Sequence, residues 1–244
     1  MWLKNTLIIT DNIELLSFIK SLVKELEIED KVKIDYMYSS KNKIPEILIQ
    51  SGAQPVDLSS KEQCTNLTKD YEIIISAHCK QIFPDTLTQS VKCINIHPGF
   101  NPFNRGWYPQ VFSIINKQPA GATIHEMDQK IDHGPIICQK MVNIEEVDTS
   151  IDVYNKVIAA EKELLREFLI PILSLSYDTK APTSEGNYNS IKDFKNLCEL
   201  DLDDVSTLRD HINLLRALSH GDYRNAFFID KDQSKIFVKI SLNT

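Results

Sequence analysis

The run Tyr71-Glu72-Ile73-Ile74-Ile75-Ser76 constrains the fold more than any other stretch of this chain. Three β-branched residues in a row leave no polar face, so a strand built from them has to be covered on both sides. That is the situation of a central strand in a parallel sheet. A second such run, Cys93-Ile94-Asn95-Ile96-His97, carries a carboxamide and an imidazole within it and is stopped by Pro98-Gly99. Alternation along a strand puts residues i and i+2 on one face, so Asn95 and His97 project together, roughly 6–7 Å apart at Cα.

The rest of the N-terminal half supports the same architecture. Thr6–Thr10 reads as a buried first strand and residues 32–38 as a second. Between them, residues 12–26 form an amphipathic helix, with Asp11 as its expected N-cap. Residues 43–51 read as a short helix. Strands alternating with helices predict an α/β fold: a Rossmann-like, mostly parallel sheet with flanking helices, its ligands bound beyond the carboxyl ends of the strands. The loops after Ser76 and His97 then lie side by side. Further along, residues 141–144 read as a strand and residues 151–169 as a long helix ending near Pro171. Residues 177–188 form a connecting loop. Leu208, Ile212, Leu215 and Leu218 mark another helix, stopped by Gly221. Residues 226–229 and 235–242 read as a β-hairpin, which is marginal alone in water and so must pack on the main body or on a second subunit. The expected organisation is a catalytic domain over residues 1–180, followed by a C-terminal helix and β-hairpin region over residues 181–244.

Composition narrows the function. A formal net charge of −7 argues against nucleic acid as a partner, because phosphate neutralisation needs clustered Lys and Arg. The five cysteines include no CxxC pair, which suits reduced thiols in a cytoplasmic protein. Leu7-Ile8-Ile9 is too short for a signal-peptide core, and no apolar run is long enough for a bilayer, so no membrane partner is expected.

The chemistry-bearing residues converge on acyl transfer. Asn95 can donate to a developing oxyanion. His97 can take a proton near neutral pH, or support the oxyanion as an imidazolium. Asp132, in the loop Gln129-Lys130-Ile131-Asp132-His133-Gly134-Pro135, can orient the imidazole or relay a proton. A metal set drawn from His97, His125, His133 and Asp132 competes with this reading, but its spacing matches no metal motif, and no metal is expected. There is no GxGxxG after the first strand, which argues against dinucleotide binding in the Rossmann manner. The loop Ser76-Ala77-His78-Cys79-Lys80-Gln81-Ile82-Phe83-Pro84 has backbone groups suited to a flat heterocycle. The segment from Asn101 to Gln110 supplies Arg105 for a phosphate and Trp107 or Tyr108 for a sugar or base. Tyr223 offers a second ring for stacking.

Asn95-Ile96-His97-Pro98, Gly121-Ala122-Thr123-Ile124-His125 and the stretch from Asp128 through Asp132-His133-Gly134-Pro135-Ile136 together resemble the formyltransferases that use N10-formyltetrahydrofolate. The aromatic segment and residues 218–228 are similar to the sugar N-formyltransferases among them. The resemblance implies a catalytic set of Asn95, His97 and Asp132, and a pteridine pocket with Lys80, Ile82, Phe83 and Asp128 as cofactor-binding residues. It implies substrate contacts from Asn101, Arg105, Trp107, Tyr108 and Tyr223. The implied reaction formylates the amine of a dTDP-linked amino-dideoxy sugar, with dTDP-4-amino-4,6-dideoxyglucose as the expected substrate and surface polysaccharide (O-antigen) as its destination. The implied assembly is a homodimer through the final hairpin. Glycinamide ribonucleotide formyltransferase is disfavoured because Thr10-Asp11-Asn12 lacks its glycine-bearing phosphate loop. Methionyl-tRNA formyltransferase is disfavoured because the C-terminal region here is short and acidic. A non-catalytic folate or nucleotide-sugar binding protein is the alternative from outside the enzymes.

Overall fold

A computed structural model describes residues 3–243. In chain order the elements begin with β1 (Thr6–Thr10), α1 (Ile13–Glu25), β2 (Ile34–Ser39), α2 (Glu46–Gln50), β3 (Gln54–Val56), α3 (Lys61–Asp70) and β4 (Ile73–Ala77). They continue through α4 (Asp85–Thr88), β5 (Lys92–His97), β6 (Arg105–Gly106), α5 (Pro109–Asn116), β7 (Ala120–Glu126), β8 (Ile136–Val142) and α6 (Ser150–Leu173). The remainder is β9 (Tyr188–Asn189), α7 (Ile191–Cys198), α8 (Leu208–Leu218), β10 (Ser219–His220), β11 (Tyr223–Arg224), β12 (Phe227–Ile229) and β13 (Lys235–Phe237). The chain divides into two compact units. One comprises Met1–His97, Thr123–Gln139 and Glu161–Thr183; the other comprises Pro98–Ala122, Lys140–Ala160 and Ser184–Thr244.

The first unit is organised by a seven-stranded sheet of order β3-β2-β1-β4-β5-β7-β8. β3, β2, β1, β4 and β5 run parallel, and β7 lies antiparallel to β5. As the unbroken apolar runs require, β1 and β4 are buried at every position. Leu7, Ile9, Ile74 and Cys93 share one core cluster with Leu67 and Leu87. Each such side chain, fully buried, contributes about 1.5–3 kcal/mol.

Several local expectations need correction. The N-cap of α1 is Asn12, whose side chain accepts from Glu14 and Leu15 N–H; Asp11 does not cap. The Asp11 carboxylate is occupied elsewhere: it accepts from Ser39 N–H at 3.2 Å, Asn42 Nδ2 at 2.9 Å and Lys80 N–H at 2.6 Å. It thereby ties the loops after β2 and β4 to the end of β1. The strand expected at 141–144 is instead Ile136–Val142, and α6 runs through Pro171 to Leu173. Pro171 has no N–H for the Glu167 carbonyl, and the helix continues only two residues beyond it. Here Leu175, in the left-handed region at φ 53°, turns the chain so that Ser176 N–H reaches the Pro171 carbonyl.

In the second unit α8 is capped by Thr207 and buries Asn213, Arg216, Ala217 and Leu218. Arg216 donates to the carbonyls of Glu145 and Asp148, at 2.9 and 2.8 Å, which satisfies its buried guanidinium. The expected hairpin forms, though its second strand stops at Phe237 rather than 242. Lys235 Nζ lies 3.8 Å from the centre of the Phe227 ring, covering one face of it.

Candidate active site

Register places the candidate groups. β5 and β7 pair antiparallel with Asn95 directly opposite His125 and His97 opposite Thr123. Directly opposite residues share a face, so Asn95 and His125 project together. The third contributor arrives on the loop between β7 and β8. That loop is closed by Glu126 N–H donating to the Pro135 carbonyl at 2.9 Å and braced by His133 Nδ1 donating to Asp128 Oδ2 at 2.7 Å. Gly134 is required there, because a Cβ would fall on the Glu126 carbonyl oxygen. Asp132 itself is left-handed at φ 51°, a conformation Asp tolerates better than most residues, and one that concentrates at functional sites.

The result is a compact polar cluster. Asn95 Nδ2 donates to Asp132 Oδ1 at 2.8 Å. His97 Nδ1 lies 3.5 Å from Asp132 Oδ2, and His125 Nε2 lies 3.6 Å from Oδ1. The two imidazoles stand edge to face with ring centres 6.2 Å apart. His97 and His125 are 3% and 1% exposed, and the Asp132 side chain 10%. His125 Nδ1 faces the Glu126 carbonyl at 2.8 Å; a carbonyl only accepts, so that nitrogen carries a hydrogen. With Nδ1 of His97 toward the carboxylate, Nε2 is the ring atom turned away from it, and it is itself buried. Asn95 has a second amide hydrogen, and its separation from His125 Nε2, 3.4 Å, is too long for a strong bond. That hydrogen can turn to a substrate oxygen.

Neither neighbouring thiol competes as a nucleophile. Burial pushes Cys79 and Cys93 up to about 12, so both stay protonated near neutral pH. Among the described residues no group of three or more His, Cys, Asp or Glu is arranged to hold a metal ion.

The other sequence-derived candidates are divided between the two units. Lys80 and Ile82 are exposed, Ile82 strongly so, on the loop after β4. Phe83 sits in the core cluster with Leu7 and Leu87, so the loop presents backbone there rather than an open ring. Asp128 is engaged by His133 and by Lys130 N–H. In the second unit Asn101 and Arg105 are buried, with Arg105 Nη2 3.5 Å from Glu185. Tyr108, left-handed at φ 51° ahead of Pro109, stacks on Phe194 with centres 4.1 Å apart. Burial raises its phenol above the ordinary value. Trp107 and Tyr223 remain exposed, Tyr223 with its ring 5.8 Å from that of His220.

Two features were not singled out from sequence. In the sequence His125 stands in a metal set and in the family motif of residues 121–125 with no role beside Asn95, yet the β5–β7 register puts it directly opposite Asn95. His78 Nε2 meets the fully buried Glu161 at 2.8 Å, a pair 83 residues apart in sequence that no local pattern announces.

Residues 28–169 match the family model described as formyl transferase. The chain belongs to the formyl transferase family. Residues 193–244 match a second model, the N-formyltransferase dimerization C-terminal domain. The chain is 48% identical, over 74% of its length and 77% of the relative's, to dTDP-4-amino-4,6-dideoxyglucose formyltransferase of Mycobacterium tuberculosis. Its fold superposes on a sugar N-formyltransferase from a Shewanella species, with TM-score 0.96 and 49% identity, covering 98% of each chain. It is similar also to a 4-N formyltransferase from Francisella tularensis, with TM-score 0.93 and 44% identity over the whole of both chains.

Proposed function

We propose that the protein transfers the formyl group of N10-formyltetrahydrofolate to the amine of a dTDP-linked amino-dideoxy sugar, with dTDP-4-amino-4,6-dideoxyglucose as the substrate. The observation that carries this reading is the Asn95–Asp132 hydrogen bond flanked by His97 and His125. The 48% identity to an enzyme named for that nucleotide sugar supports the choice of substrate.

In the proposed reaction the sugar amine attacks the formyl carbon. The new C–N bond forms, the carbonyl oxygen takes up negative charge, and the bond to N10 then breaks. The second N–H of Asn95, turned from its long contact with His125 Nε2, donates to the oxyanion, an interaction worth about 10²–10³ in rate. His97 Nε2 accepts the proton from the attacking nitrogen, and that proton is returned to the departing N10. Asp132 keeps the imidazole in the tautomer with hydrogen on Nδ1 and stabilises its charged form. Binding energy from the nucleotide holds the amine in place, so the chemistry needs no covalent enzyme intermediate.

In this reading Lys80, Ile82, Phe83 and Asp128 belong to the loops that receive the pterin. Asn101, Arg105, Trp107, Tyr108 and Tyr223 serve the nucleotide sugar. Residues 1–180 form the catalytic part, and residues 181–244 contribute nucleotide contacts and a homodimer interface. The match of residues 193–244 to a dimerization domain supports the last point. Among the described residues no helix is long and apolar enough to cross a membrane, which accords with a cytoplasmic step in surface-polysaccharide (O-antigen) synthesis. A single-turnover assay with the formyl donor and dTDP-4-amino-4,6-dideoxyglucose, in the presence of a chelator, tests the proposal. Formamide product at undiminished rate is expected. Ligand binding without product overturns it, as does faster formylation of the 3-amino isomer for the choice of sugar.

A further inference from the structure

Beside Asp11, at the carboxyl ends of β1, β2 and β4, lies an open cavity of about 420 Å³. Lys41, Lys43 and Lys80 line it, and none of the three forms an ion pair within 4 Å among the described residues. The one carboxylate in its wall, Asp11, already accepts three hydrogen bonds from backbone and amide donors. It keeps its negative charge while holding the two lysine-bearing loops together, so the wall carries three ammonium groups against one carboxylate. Ile44 and Ile47 add apolar surface and are 76% and 56% exposed. Exposed isoleucines beside three ammonium groups in net excess over the lining carboxylate, on segments tied together by that carboxylate, are the features of a prepared site for an amphiphilic polyanion.

Its location says which one. Across the sheet the order is β5, β4, β1, β2. Lys80 therefore follows the strand next to the one carrying Asn95 and His97, while Lys41 and Lys43 follow β2, three spacings or about 14 Å away. A ligand reacting at β5 and reaching this cavity has its acidic end far from its reacting atom. Folates have that shape. The reacting N10 is joined through an aminobenzoyl arm to glutamate, and further γ-linked glutamates add one carboxylate each, separated by short methylene stems.

We infer that this cavity binds the oligo-γ-glutamyl tail of the formyl donor, with Lys41, Lys43 and Lys80 pairing its carboxylates and Ile44 and Ile47 covering its methylenes. The inference rests on the proposed function, which gives the nucleotide to Asn101–Gln110 and Tyr223 and leaves this pocket to the folate. A nucleotide diphosphate is the other anion of suitable charge, and the test separates the two.

Equilibrium binding of the non-transferring 5-formyl folate is measured as the monoglutamate and the triglutamate, together with dTDP, on the wild type and on the Lys41→Ala/Lys43→Ala double variant. The wild type should bind the triglutamate about tenfold more tightly than the monoglutamate, as expected for a few exposed ion pairs of up to about 1 kcal/mol each. The preference should shrink with added salt. The double variant should lose it while its dTDP affinity holds. Equal wild-type affinity for the two folates overturns the inference and leaves the proposed function standing. A double variant that keeps the preference, or that weakens dTDP instead, also overturns it. Failure of the wild type to bind either folate removes both readings together. A Lys43→Glu variant with an unchanged far-UV spectrum guards against loss through misfolding, and it should invert the preference.

Discussion

The strand-end cluster and the aromatic segments differ in how much of their final geometry the folded chain has already fixed. His97 and His125 are nearly excluded from solvent, Asn95 and Asp132 are partly buried, and the four lie 2.8–3.6 Å from one another through the Asp132 carboxylate. Tyr223 is 70% exposed and Trp107 38% exposed, on short strands or at their ends. Groups that must meet a transition state have to be placed before substrate arrives, and a hydrogen-bonded sheet register does that placing. Groups that bind a flat base do better left open, since the ligand itself supplies the covering surface. The difference predicts that substitutions in the first region act on turnover and those in the second on affinity.

The sharpest way to break that division is Asp132→Asn. It should lower kcat about 10³-fold, since an amide can neither fix the His97 tautomer nor stabilise its charge, while dTDP binding stays within about twofold. Equal losses in kcat and dTDP affinity would abolish the distinction. Asn95→Ala comes next, with about a 10²-fold loss in kcat from the missing oxyanion donor; it is checked by steady-state kinetics against the same dTDP binding measurement. Tyr223→Ala should act in the opposite sense. We expect KM for the nucleotide sugar to rise about tenfold, as for a lost base–aromatic stack, with kcat nearly constant. A kcat effect larger than the KM effect would assign that ring to the chemistry.

The smallest expected effect concerns His220, which packs against Tyr154 and Tyr223 and has its pKa lowered by burial, partly offset by Ser150. With the folded value below the unfolded value of about 6.5, the unfolded chain binds more protons between the two. Stability is then fully present above about pH 6.5 and declines as pH falls toward the folded value. Thermal melts of wild type and His220→Gln between pH 7.5 and 5 should converge as the pH drops. Parallel curves would show that this region does not sense protonation.

Much of the frame could be read without coordinates. The triple isoleucine of β4 and the apolar β1 and β5 demanded two-sided burial, and the sheet supplies it. The polar helix α3 escaped notice because it buries only Cys64 and Leu67, too few apolar residues for a helical stripe. Asp11 looked like a cap because acids next to a helix start commonly are. Only the approach of Ser39, Asn42 and Lys80, 28 to 69 residues away, gave it a different task.

By itself the sequence determined that β1, β4 and β5 are buried strands, that Pro98-Gly99 ends β5, and that an amide and an imidazole share one face of it. Those are short-range consequences of side-chain alternation and backbone sterics, legible over five or six residues. Tertiary structure alone decided that His125 stands opposite Asn95, that a left-handed Asp132 closes on both, and that His78 finds Glu161. Each of those depends on register and loop closure between distant segments, and pairing energies across 30 or more residues leave no mark on local periodicity.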